Sequence, residues 1–290
     1  GAPAAKAGAR PGAAALFADR NRRRLPAGRI AMRLATWNVN SLKVRLPQVL
    51  QWLADNPIEV LCLQELKMDH PVFPLAEIEA AGYQAAWFGQ KTYNGVAILV
   101  KNGCSLTDVV AGMPGYDDEQ RRVIAASVDG VRVMCAYFVN GEAVDSPKYQ
   151  YKLQWLAQLE AYVAREVAQH ADFALLGDYN IAPEDRDVYD AAAWQEQVLC
   201  TTPERESFKR LIGMGLSDSF RLFNQEEKQF SWWDYRAMAF RRNLGVRIDH
   251  ILITDSLKAR ATACIIDKVP RKWERPSDHT PVVLTLRGVV

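Results

Sequence analysis

Asp178 and Asn180 stand two residues apart where the apolar run Phe173-Ala174-Leu175-Leu176 ends. Four apolar residues suffice for a buried strand. Gly177 lets the backbone turn with no Cβ in the way, and Pro183 stops the strand from continuing. While the chain stays extended, residues i and i+2 share a face, so a carboxylate and an amide project together. One is an anionic acceptor, the other a neutral donor and acceptor. That pair suits a water molecule held beside an anion, which a second carboxylate would repel. Taken alone, the motif reads as a polar turn with an Asx cap; the rest of the chain changes that reading.

Polar residues recur wherever a strand-like run stops. Asn38 ends the first run, Glu65 follows Val60–Gln64, and Tyr137 and Asn140 close another. Asp249 interrupts the run 246–253, and Asp278-His279 precede the last one. Glu and Asp are rarely fully buried unless paired, so this many at strand ends points to one shared polar cleft. Oxygen ligands select a hard cation such as Mg²⁺, with Glu65 the leading ligand and Asn38 and Asp278 beside it. Asp249 and His279 are candidates for an orienting pair, in which the carboxylate fixes the imidazole tautomer and raises its pKa. A donor of that kind beside a metal suits a phosphate. No Ser, Cys or Lys is set up as a nucleophile, which leaves water as the attacker.

The elements that must position these groups alternate along the chain. Strand-like runs fall at 34–37, 60–64, 85–88, 96–100, 123–128, 131–138, 173–176, 248–253, 262–266 and 282–286. Helical patterns cover 46–55, 75–81, 148–169 and 204–214, the third with Leu153, Leu156, Leu159, Val163 and Val167 on one face. Asn94-Gly95 and Asp129-Gly130 are hairpin signals, so part of the sheet structure is antiparallel. This mixture, with no long linker, predicts helices covering sheets in one α/β domain over 32–290. Trp37-Asn38-Val39-Asn40 and Gly177-Asp178-Tyr179-Asn180 look alike, which suggests two halves of similar build.

Residues 1–31 read as a disordered basic tail, with seven Lys/Arg against Asp19. The remainder carries 29 basic and 33 acidic side chains, so a polyanion must be bound through a local patch and not through bulk charge. Five scattered cysteines with no C-x-x-C spacing argue against a disulfide framework or zinc site and fit a reducing, cytoplasmic compartment. No apolar run approaches the roughly 20 residues of a membrane helix.

Seven segments together resemble the exonuclease III family of DNA-repair nucleases: Leu-Ala-Thr-Trp-Asn-Val-Asn-Ser-Leu (34–42), Leu-Gln-Glu-Leu-Lys (63–67), Tyr-Asn-Gly-Val-Ala-Ile (93–98), Gly-Asp-Tyr-Asn-Ile-Ala (177–182), Ser-Trp-Trp-Asp-Tyr-Arg (231–236), Gly-Val-Arg-Ile-Asp-His-Ile-Leu (245–252) and Pro-Ser-Asp-His-Thr-Pro (276–281). Each motif is weak alone; seven in order are specific. The resemblance implies a four-layer α/β sandwich, two mixed β-sheets face to face with helices outside. It also implies a divalent metal, Mg²⁺ with Mn²⁺ able to substitute, and a monomer hydrolysing double-stranded DNA at abasic sites or 3′ ends. Carried over by position, Glu65 resembles the main metal ligand, with Asn38 supporting it and Asp278 at the same or a second metal position. Tyr137 matches the tyrosine near the scissile phosphate, Asp178 the aspartate that orients or deprotonates water, and Asn180 its phosphate-contacting companion. Asp249 and His279 match the pair at the phosphate, and Trp232 the aromatic beside the flipped or terminal nucleotide.

Two departures bear on substrate: His250, where the family often has an apolar residue, and the variable segment 194–201. The stretch 231–236 leads into Arg241, Arg242 and Arg247, and aromatics interleaved with arginines suit a nucleic-acid surface. Arg121, Arg122 and Lys91 are lesser candidates. Two rivals share the residues. A phosphatase for inositol phosphates or lipids would use the same metal site but leave 232–247 unexplained. A non-catalytic nucleic-acid-binding module requires a lost metal or water-handling position, and none is lost.

Overall fold

Strands that are apolar on both faces must be covered on both, and that requirement sets the layering. The computed structural model describes residues 31–288; the basic tail expected over 1–31 lies, but for Ala31, outside the described residues. In chain order the strands are β1 (Met32–Asn38), β2 (Val60–Gln64), β3 (Tyr83–Phe88), β4 (Val96–Lys101), β5 (Thr107–Ala111), β6 (Val123–Val128), β7 (Val131–Tyr137), β8 (Phe173–Asp178), β9 (Leu216–Asp218), β10 (Trp232–Trp233), β11 (Gly245–Val246), β12 (Asp249–Thr254), β13 (Ala261–Ile266) and β14 (Val282–Leu286). The principal helices are α1 (Leu42–Asp55), α2 (Leu75–Ala80), α3 (Pro147–Gln169) and α4 (Thr202–Gly213).

One sheet has the order β13-β14-β1-β2-β4-β3, the other β5-β6-β7-β8-β12-β9. β1 is parallel to β2, and β7 to β8; the other neighbours are antiparallel. Each parallel pair needs a crossover, supplied by α1 in the first sheet and α3 in the second.

Residues at every second position then pack between the sheets. Leu34, Cys62 and Leu284 from one meet Val133, Cys135, Leu176 and Ile251 from the other. The alternate positions face outward. Trp37 and Leu63 pack under Val49, Trp52 and Leu53 of α1, while Met134 and Leu175 pack under Trp155, Leu159 and Phe208 of α3 and α4. The result is the helix–sheet–sheet–helix sandwich that the resemblance implies. Four of the five cysteines are buried, and all five are free.

All ten expected strands are present. Asp129-Gly130 is a two-residue hairpin pairing Val128 with Val131, while Asn94-Gly95 ends a longer connection between β3 and β4. The helix expected over 46–55 starts four residues earlier, capped by Ser41, and runs through Pro47. Gly177 requires a correction. It makes no turn, since β8 continues through it to Asp178. Its role is close approach, because a Cβ there would lie 1.9 Å from the Ala136 carbonyl oxygen.

Candidate active site

The two-residue period that buries the inter-sheet core also delivers polar groups to one end of it. On β1 the inward series Met32, Leu34, Thr36 ends in Asn38, and on β7 the series Val131, Val133, Cys135 ends in Tyr137. Ala174 and Leu176 of β8 lead to Asp178, and Asp249 begins the inward series Asp249, Ile251, Ile253 of β12. Register then aligns them, with Asp178 opposite both Tyr137 and Asp249. From the facing sheet, Glu65 leaves the end of β2 in a left-handed conformation, φ 54°. The Asp278-His279 segment closes the cleft through a bridge between Trp232 and His279.

Glu65, Asp178 and His279 each place one ligand atom within 4.8 Å of the other two. Asn38 Nδ2 donates to Glu65 Oε2 at 2.5 Å and to Asp178 Oδ2 at 2.9 Å, so one amide spans the gap between the sheets. The Asp178 Oδ1 atom accepts from the Asn180 backbone N–H at 3.0 Å. The Asx turn is therefore present, and it is part of the cluster. Asn180, left-handed at φ 48°, donates from Nδ2 to the Phe138 carbonyl and accepts from Asn140 Nδ2. His279 Nδ1 donates to Asp249 Oδ2 at 2.8 Å, and its Nε2 faces Asp178 Oδ2 at 3.5 Å. Ser231 fixes Asp249 by accepting two backbone N–H groups, those of Ile248 and Asp249.

Electrostatics separates the roles open to these groups. Burial alone would lower the His279 pKa, but Asp249 and then Asp178 outweigh it and hold the imidazolium well above the ordinary 6.5. A cationic imidazole is a donor and not a metal ligand, which leaves an oxygen-rich set for a hard dication. Burial pushes the Asp178 carboxyl up to about 7; Asp249 and Glu65 add to the rise while His279 opposes it. The Oδ1 atom of Asp249 is buried without a hydrogen-bond partner, a further sign of excess acceptor capacity. Burial also raises the Tyr137 hydroxyl well above 10, with Arg122 stacked over its ring at 4.8 Å and opposing the rise.

Of the expected residues, Asn38, Glu65, Tyr137, Asp178, Asn180, Asp249 and His279 converge. Asp278 sits at the margin, accepting from Trp232 Nε1 at 3.0 Å and from Asn40 Nδ2 at 3.4 Å. Trp232 is half-buried, and Arg241 and Arg242 are exposed near it in sequence. Arg247 requires a correction as a DNA contact. It is 1% exposed and turned inward, bonded to Asp187 at 2.8 Å and Asp218 at 2.7 Å. Arg122 is likewise largely buried, with its guanidinium over the Tyr137 ring. Sequence reasoning left out Asn40 and Lys67, which donates to Asn40 Oδ1 at 2.7 Å and stands 3.6 Å from Glu65. Both lie inside the quoted motifs, the only signal that could have found them. A cleft of about 600 Å³ opens beside Glu65 and Tyr137, with Lys67, Tyr93, Arg122 and Lys148 on its walls.

Comparisons with known proteins agree with this geometry. Residues 35–279 match the family model described as Endonuclease/Exonuclease/phosphatase family. The chain is 33% identical to Exodeoxyribonuclease III of Haemophilus influenzae over 264 residues, covering 87% of this chain and 98% of that protein. Among solved structures, the 3′-5′ exonuclease NExo from Neisseria meningitidis is 50% identical with a TM-score of 0.85, covering 87% of this chain and 98% of its own. A further structure of NExo is described as a 3′ phosphatase bound to product DNA hairpin. An AP endonuclease from Archaeoglobus fulgidus is 36% identical with a TM-score of 0.84, covering 88% and 99%. Strand ends that bring an amide, acidic side chains and an imidazolium to one cleft, in a sandwich shared along almost its whole length with these proteins, make this chain a metal-dependent DNA-repair nuclease that belongs to the Endonuclease/Exonuclease/phosphatase family.

Proposed function

We propose that the protein is a Mg²⁺-dependent phosphoesterase that acts as a monomer on 3′ ends of double-stranded DNA, releasing 3′-phosphate and 3′-terminal nucleotides in preference to incising abasic sites. The observation that carries the chemistry is the convergence of Glu65, Asp178 and His279 from three separate segments. The preference for ends is supported by packing beside Trp232. Trp232, half-buried, packs on a buried cluster that includes Ala182, Val188, Leu199, Val246 and Ile248, which holds its ring as a platform for a terminal nucleotide. The likeness to NExo, described as a 3′ phosphatase, supports the same reading.

In this mechanism Glu65, supported by Asn38 and with Asp278 nearby, would hold the cation, which when bound would supply Lewis-acid polarisation of a phosphoryl oxygen. Asp178, oriented by the Asn38 amide and the Asn180 N–H, accepts a proton from the attacking water. Asn180 orients that water or a non-bridging oxygen through an amide already held by Phe138 and Asn140. His279, kept cationic by Asp249, donates to the phosphoryl oxygen on which negative charge grows. As the P–O3′ bond breaks, Tyr137 donates its hydroxyl proton to the departing oxygen; a phenol held protonated can do this. Trp232 stacks on the terminal nucleotide, and Arg241 and Arg242 contact phosphates.

The test is one preparation assayed on a 3′-phosphoryl duplex, a 3′-recessed duplex and an abasic duplex, with Mg²⁺, Mn²⁺ or EDTA. Expected are turnover of the first two with either ion, loss in EDTA, and abasic incision at least tenfold slower. Abasic incision at an equal rate would sink the preference for ends, and full activity in EDTA would sink the metal assignment.

A further inference from the structure

Beneath the two asparagines of the cleft lies a buried ion pair that the chemistry above does not use. Lys152 of α3 and Glu204 of α4 are both wholly buried and hydrogen-bonded to each other. The Lys152 Nζ has three donors, and each has an oxygen. Besides Glu204 Oε2, they are the main-chain carbonyls of Asn140 at 3.1 Å and Asn180 at 2.7 Å. Glu204 is equally committed, accepting from the Leu199 N–H, the Thr201 N–H and the Thr201 hydroxyl. One pair thus joins the two asparagine-bearing segments to the 199–201 segment, which packs in the apolar cluster beside Trp232.

A charge buried this deeply is costly to place, so its geometry needs a reason beyond stability. Asn180 is a non-glycine residue in a left-handed conformation, which persists only where the surroundings over-determine it. The Phe138 carbonyl and Asn140 amide fix its side chain, and Lys152 fixes its main-chain carbonyl. Without that ammonium, two buried carbonyls would lose a charge-assisted donor.

We propose that Lys152, held by Glu204, is a positioning residue that sets the main chain of Asn140 and Asn180, so that turnover depends on it and substrate capture does not. The proposal rests on the role given to Asn180 above. The decisive variant is the double substitution Lys152→Met with Glu204→Met, since apolar replacement of a buried ion pair commonly preserves folding. Assayed on the 3′-phosphoryl and abasic duplexes in parallel, it should lose at least 30-fold in kcat with KM changed by less than threefold. Added to Asn180→Ala, it should lower kcat no further than threefold below Asn180→Ala alone, because residues acting through one group are not additive. Lys152→Gln, which keeps a partial donor, is the second variant should the first not fold, and should lose at least tenfold in kcat with KM unmoved. Wild-type kcat in whichever variant folds, or losses that multiply with Asn180→Ala, would overturn the proposal while leaving Asn180 in place. Wild-type turnover in Asn180→Ala itself would instead remove the role of Asn180, and the proposal with it.

Discussion

Asp249 and His250 are consecutive in β12 and so point to opposite sides of one sheet, each into a buried polar cluster. On the His250 side, Arg247 bonds Asp187, Asp218 and the ring of His250, and Arg221 adds a second bond to Asp187 at 2.6 Å. Two carboxylates face two guanidiniums. Burial would raise both aspartates, but the charge and hydrogen bonds of Arg247, joined at Asp187 by Arg221, hold them below the ordinary value. On the Asp249 side, Glu65, Asp178, Asp249 and Asp278 share the imidazolium of His279 and the ammonium of Lys67. There burial raises Asp178 to about 7, and an oxygen of Asp249 has no partner. Opposite shifts separate a cluster whose charges are matched from one whose acidic groups could hold a cation.

Substitutions that disturb each cluster separately test the contrast. Arg247→Met should produce the largest stability loss, about 3–5 kcal/mol, because it leaves Asp187 with Arg221 alone and takes from Asp218 its guanidinium partner; denaturant unfolding measures it. Wild-type stability would mean that this cluster is not the structural one. On the other side, Glu65→Ala or Asp178→Ala should lower turnover at least 100-fold, about 2.7 kcal/mol of barrier, while the unfolding midpoint holds or rises as like charges are relieved. Parallel loss of stability and turnover would erase the distinction.

A pH titration is the next sharpest probe. Burial, then Arg247, depresses the His250 pKa to about 4 from an ordinary 6.5. A base lowered by folding binds fewer protons folded than unfolded. Its contribution is therefore complete above pH 6.5 and falls away as pH drops toward 4. The amount is of the order of 3 kcal/mol, and His250→Gln should flatten that limb of the stability profile. The smallest effect expected is that of Trp232→Ala, which acts mainly on capture: KM should rise about tenfold, in line with about 1–3 kcal/mol of stacking, with kcat nearly unchanged.

The strands were readable because their apolar residues are dense, and the site because polar residues stood at the ends of those strands. β5 escaped notice since all but one of its residues are exposed, so it carries no burial signal. β10 and β11, at two residues each, are too short for a periodicity. Arg247 could not be sorted from Arg241 and Arg242 by neighbourhood, because its burial is decided by Asp187 and Asp218, 60 and 29 residues away. The likeness of the Asn38 and Asp178 motifs suggests two halves of similar build, and the two sheets do share six strands and one parallel pair each. Topology, however, equates β1 with β7 and β2 with β8, so the true counterpart of Asn38 is Tyr137. A short motif shows that a strand ends, not which strand it matches.

The Asn38 amide reaches one carboxylate from each sheet, 2.5 Å to Glu65 and 2.9 Å to Asp178. It acts as a calliper whose jaws are set by how far apart the two layers rest. That spacing is decided by the interdigitation of side chains such as Cys62, Leu176 and Ile251, none of which carries a polar group of the site. Truncating one of them, or compressing the molecule, would shift the jaws by fractions of an ångström. Catalysis would register that slackness well before the chain melted.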